Sequence, residues 1–130
     1  MTDSPKRALM EAEEWLRSAK DKLASTEDDE TKAGVCCALA IHAIIRANDA
    51  LTLKFMNTKG TRHDSMPHMF EKLIREGKVR REESRFVRLL ERAMSDKSSA
   101  DYGKGTFRYE DAKKYVGYAE DFVSMVELHI

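Results

Sequence analysis

The chain has 130 residues, 42% hydrophobic and 35% charged, with 23 basic and 23 acidic side chains and a formal net charge of zero. That length holds one domain with its own core, and the composition excludes a disordered chain. Zero net charge argues against a general basic coat for nucleic acid, and two cysteines at adjacent positions, Cys36 and Cys37, exclude a disulfide framework.

Only 2 prolines and 6 glycines punctuate the sequence, which favours long helices over many short strands. Ser4-Pro5 reads as an N-cap followed by proline at the first helical position. Ala8, Leu9, Ala12, Leu16, Ala19 and Leu23 then recur at three- and four-residue spacing, one helical stripe that Trp15 widens. STEDDET, Ser25 to Thr31, is an acidic break whose charges suit the start of the next helix. A second helix is expected from about Thr31 to Met56. It is the most apolar part of the chain, through Val35, Leu39, Ile41, Ile44, Ile45, Leu51, Leu53 and Phe55. A helix apolar nearly all round is central in a bundle or shared with a second subunit, and here both uses are expected.

NTKGTRHDS, Asn57 to Ser65, reads as a loop stopped by Gly60. Ser65-Met66-Pro67 restarts a short helix to about Arg75, closed by Gly77. A fourth helix is expected from about Glu82 to Met94, with Phe86, Leu89, Leu90, Ala93 and Met94 as its stripe. The polar stretch KSSADYGKG, Lys97 to Gly105, reads as the loop that follows. A fifth helix runs from about Tyr109 to the C-terminus, with Tyr115, Ala119, Phe122 and Val126 on one face. The expected fold is all-α, an up-and-down bundle of four to five helices with one short inserted helix, forming a single domain over residues 1–130. No unbroken apolar run reaches the roughly 18 residues of a membrane span, and MTDSPKR lacks the apolar core of a signal peptide. A cytoplasmic protein without a membrane partner is the expectation.

Charge is unevenly spread. Met1 to Glu30 holds 9 acids and 5 bases, whereas Glu71 to Arg92 holds 8 bases and 5 acids. The second segment reads either as a solvated, ion-paired helix face or as a patch able to hold RNA phosphates. Arg80, Arg81, Arg85 and Arg88 after the Gly77 loop superficially fit a helix-turn-helix. The histidines, His42, His63, His68 and His129, lack the Glu-x-x-His pairs of a ferritin-like site, so no metal and no cofactor are expected. His42 reads as a core or interface residue and His63 as a loop residue. Gly103-Lys104-Gly105 lacks the preceding strand and the spacing of a phosphate-binding loop.

Asp101 and Tyr102 raise a further question. From the residues alone, Tyr102 packs its ring or finds a partner for its hydroxyl, and Asp101 caps a turn or pairs with Lys97 or Lys104. The order of segments, however, resembles the HEPN family, the higher eukaryotes and prokaryotes nucleotide-binding domain. The likeness spans nearly the whole chain, through LRSAKDKLAST, ALAIHAIIRANDALTLKF, TKGTRHDSMPHMFEKL, SSADYGKG and YEDAKKYVGYAEDFVSMVE. Its most specific part is the Ala-Asp-Tyr at 100–102, followed by a helix of A-x-x-F-V type.

That resemblance implies a bundle that dimerises, and the apolar second helix with its neighbours is the expected contact. In active members an Arg and a His, four to six residues apart, cut RNA without metal. Arg forks onto a phosphate, and His acts on the ribose 2′-hydroxyl or the leaving oxygen. Here the matching slots hold Lys97 and Tyr102 with four residues between. Lys neutralises a phosphate as a point charge, whereas Tyr, with an ordinary pKa of about 10, is a poor base at neutral pH. Arg92 is the nearest alternative arginine. The resemblance also implies a small nucleotidyltransferase partner in a toxin–antitoxin-like or defence module, with Tyr102 as the nucleotide acceptor. Two readings stand: a metal-independent ribonuclease or RNA-binding protein using Lys97 for phosphate, Asp101 for orientation and Tyr102 for stacking or donation, and a non-catalytic helical dimer that binds nucleotide or protein.

Overall fold

In a computed structural model, which describes residues 3–25, 27, 29–59, 65–102 and 106–130, the chain is an all-α bundle. The described helices are α1 (Pro5–Ala24), α2 (Glu30–Met56), the short α3 (Met66–Arg75), α4 (Phe86–Tyr102) and α5 (Tyr109–Glu127), with a 3-10 turn at Arg81–Arg85 leading into α4. Local chemistry sets most of their ends. Ser4 Oγ accepts the Arg7 amide at 3.1 Å ahead of Pro5. Asp29 accepts the amides of Thr31 and Lys32 at 2.9 and 3.2 Å. These contacts satisfy N–H groups that the first turn leaves without partners. Asn57 closes α2 in the left-handed region at φ 55°, a conformation Asn tolerates better than most side chains. Gly77 follows α3 at φ 74°, where a Cβ would be strained.

α2 is the central element. It packs on α1, α5, α4 and α3, while α1 also meets α5 and α3 meets α4. Its alanines at 33, 40, 43, 47 and 50 are fully buried, and so small a side chain lets the neighbouring helices approach closely. Phe122 of α5 lies 5.7 Å from Phe70 of α3 and 5.2 Å from Phe86 of α4, ring centre to ring centre. That aromatic trio ties the short helix to the long ones. By length and mean hydropathy α2 also suffices to cross a membrane, and 61% of its most apolar stretch is buried within the bundle. Counting unbroken apolar runs hid this, because alanines raise the mean while polar residues interrupt the run.

Four expectations need correction. The fourth helix does not stop at Met94: α4 continues through Lys97–Tyr102, the stretch expected to be a loop. Ala100 is buried there, and Lys97 and Asp101 form an i, i+4 ion pair, so the small polar residues carry two more turns. Residues 81–85 are 3-10 rather than α-helical, and α5 ends at Glu127 rather than the last residue. Val35, expected within the apolar helix, is 44% exposed. Gly60, His63 and Gly103-Lys104-Gly105 lie outside the described residues. The two cysteines are buried and free. Cys36 Sγ meets the Ala19 carbonyl at 3.3 Å.

Candidate functional site

The extension of α4 changes the site. On a helix, residues four apart share a face, so Lys97 Nζ reaches Asp101 Oδ2 at 2.7 Å. The other carboxylate oxygen, Oδ1, stands 3.2 Å from His42 Nε2 on α2. On its other side the His42 ring stacks on Trp15 of α1, with ring centres 4.9 Å apart and planes inclined by 25°. Three helices therefore meet at one cluster, Trp15–His42–Asp101–Lys97. It is half-open to solvent, with side-chain exposures of 32% for His42, 20% for Asp101 and 23% for Lys97.

Its protonation follows from these contacts. Burial alone would raise the Asp101 carboxyl. The hydrogen bond from Lys97 and the neighbouring His42 and Lys97 charges outweigh it, and the group lies below its ordinary value. Asp101 is therefore ionised at neutral pH and can only accept. His42 Nε2 must then carry the hydrogen, which leaves Nδ1 as the basic nitrogen of the neutral ring. Carboxylate, oriented imidazole and ammonium together form a group able to take up a proton beside a positive charge.

The sequence-derived residues divide. Lys97 and Asp101 come together as expected, but the second partner of Asp101 is His42, not Tyr102. Tyr102 is 74% exposed and makes no hydrogen bond among the described residues. Arg92 is no substitute for the missing arginine. At 3.6 residues per turn it points about 140° from Lys97 and 180° from Asp101 around α4, and it lines a groove against α5 with Tyr118. Of the two uses expected for His42, core or interface, the structure excludes the first, since its side chain is 32% exposed, and Trp15 belongs to the cluster rather than to the buried stripe. Fifty-nine positions separate His42 from Asp101, so no local spacing could link them. The one signal was an imidazole in the apolar run from Val35 to Ile45.

One turn further along α2, Arg46 anchors the N-terminal segment. It forks onto both oxygens of Asp3 at 3.1 and 3.2 Å and reaches Asp49 at 2.9 Å and Glu11 at 3.3 Å. Burial by itself would lower the Arg46 guanidinium, but these three carboxylates raise it. Both terminal nitrogens of Arg46 are thus occupied by carboxylates, and its buried Nε has no partner among the described residues. Among the described residues no group of three or more His, Cys, Asp or Glu side chains is placed to hold a metal ion. No protein-family model matches the chain, and no curated protein is significantly similar to it.

Proposed function

We propose that the chain is a HEPN-type protein of a toxin–antitoxin-like or defence module that acts on RNA at the Trp15–His42–Asp101–Lys97 cluster. The observation that supports this most is the 3.2 Å contact between His42 Nε2 and Asp101 Oδ1. It supplies an oriented imidazole, which the Lys-x4-Tyr pattern of Lys97 and Tyr102 lacks. In this reading His42 Nδ1 removes the ribose 2′-hydroxyl proton. The 2′-oxygen forms a bond to the adjacent phosphorus as the bond to the 5′-oxygen breaks, and that oxygen departs with a proton from solvent. Lys97 neutralises the phosphate, Asp101 holds the imidazole, and the exposed rings of Trp15 and Tyr102 offer faces on which bases stack. A homodimer through α2 would bring two such clusters to one strand.

The test is cleavage of a mixed RNA and transfer-RNA pool by purified protein in chelator, beside His42→Ala, Lys97→Ala and Tyr102→Phe. His42→Ala is expected to lose cleavage, Lys97→Ala to lower it strongly, and Tyr102→Phe to keep it. An absence of cleavage, or equal cleavage by all four proteins, would overturn the catalytic reading.

A second reading, a non-catalytic dimer that binds nucleotide or protein, draws on a different observation. Met10 is 57% and Trp15 37% exposed, in a surface hollow of about 520 Å³ on α1. Exposed apolar side chains grouped in this way suit a docking face. The exposed Tyr102 hydroxyl also suits a nucleotide acceptor for a small nucleotidyltransferase. Unchanged protein mass after incubation with that partner and ATP would sink this last idea.

A further inference from the structure

Arg88 and Arg92 lie four residues apart on the flank of α4 turned away from His42, and Arg85 ends the 3-10 turn just before that helix. Residues four apart share a helix face, here over about 6 Å of axis at ~1.5 Å per residue, and all three arginines line one groove. α5 faces them with Tyr118 and Asp121 across a groove of about 250 Å³ that Phe86 also lines. The Arg85 guanidinium lies 4.1 Å from the centre of the Phe86 ring, with a Glu83 oxygen 3.9 Å away. Among the described residues no carboxylate forms an ion pair with Arg88 or Arg92, and both are exposed. Asp121 is the acid across the groove and Glu83 pairs with Arg85, so three guanidinium groups outnumber two carboxylates.

We infer that the α4–α5 groove is a track for the phosphodiester backbone of single-stranded RNA; the choice of RNA as the strand rests on the function proposed above. Three guanidinium groups strung along one groove suit a chain of phosphates better than a single anion. Each planar fork grips two phosphate oxygens. The stacked Phe86 ring holds Arg85 in place, and Tyr118 offers a ring beside the track for a base. No base edge is read by such a surface, so its binding is independent of sequence and falls with salt. Lys97 and Asp101 lie on the opposite flank of the same helix. A bound strand would therefore wrap around α4 between groove and cluster.

The test is retention of a 2′-O-methyl oligoadenylate of about 20 nucleotides on filters, from about 50 to 200 mM salt. This probe lacks the attacking hydroxyl, so binding is read apart from cleavage. The double variant Arg88→Gln/Arg92→Gln is expected to bind on the order of ten-fold more weakly at the low-salt end. Its log–log salt slope should be flatter by about 1.4, from ~0.7 per lost phosphate contact. Asp121→Asn is expected to tighten binding, and it keeps the inference testable should the double variant lose helical circular dichroism. Wild-type affinity and slope in the double variant, unchanged affinity in Asp121→Asn, or no retention by the wild type would each overturn the track. Cleavage of unmodified RNA that needs His42 but ignores Arg88 and Arg92 would leave the catalytic reading standing and remove the track. A flattened slope with no cleavage at all would do the reverse.

Discussion

Replacing Arg46 with methionine keeps the aliphatic stem and removes the guanidinium. Four hydrogen bonds go with it, to Asp3, Glu11 and Asp49. The serious loss is at Asp49, whose residue is only 5% exposed and whose Oδ1 already has no partner among the described residues. Its carboxylate would be left buried and uncompensated. Removing one member of a buried pair costs about 3–5 kcal/mol. Arg46 keeps 16% exposure and its other partners are more open, so the low end, about 3 kcal/mol, is expected at pH 7. For a chain of this size that corresponds to a fall in Tm of about 10 °C.

The pH dependence carries a sign. Burial raises the Asp49 carboxyl above its ordinary value, and Arg46 only partly offsets this. A group raised in the folded state favours folding when protonated, and that contribution is lost as pH rises through its folded value. Without Arg46 the raise grows. The Arg46→Met defect should therefore be largest at neutral pH and shrink as pH falls through the carboxylate range. Asp3 acts in the same direction, because its carboxyl is lowered chiefly by the Arg46 hydrogen bond and the variant loses that contribution. Urea unfolding at neutral and acidic pH measures both effects, and adding Asp49→Asn should restore part of the loss. A defect below about 1 kcal/mol, one independent of pH, or a double variant weaker than the single would refute this account of a charge clamp.

Other expectations concern the core and the backbone. Phe122→Ala removes the ring that joins Phe70 and Phe86 and should cost about 3–5 kcal/mol by denaturant unfolding. A loss under about 1 kcal/mol would mean that the trio packs loosely. Burial pushes the Cys36 thiol up to about 11 and the Cys37 thiol up to about 12. Neither should react with a thiol reagent at pH 8 until the protein is unfolded, and fast native labelling would contradict their burial. Gly117→Ala places its methyl in open space on α5 and should stabilise by about 0.5–1 kcal/mol, seen as a higher Tm.

Helical periodicity made most of the fold legible. Ala8, Ala12 and Ala19 lie buried along α1, and Phe86, Leu89, Leu90 and Ala93 along α4, as their spacing implied. The end of α4 was misread because Ser98, Ser99 and Asp101 suit turns as readily as helices. What decided the matter was burial of Ala100 and pairing of Lys97 with Asp101, neither visible in local composition. For the same reason half of the candidate site was legible. Lys97 and Asp101 are near in sequence, whereas Trp15 and His42 join them only through the packing of α1 and α4 on α2. Nothing in the local sequence marks Arg46, which gathers carboxylates from α1, α2 and the chain start.

Trp15 is the only tryptophan in the chain, and it rests against the imidazole that the proposed chemistry depends on. An indole in contact with an imidazole emits differently when that ring takes up a proton. The intrinsic emission of the native protein is therefore a built-in indicator of the His42 charge state. It needs no label and no substrate.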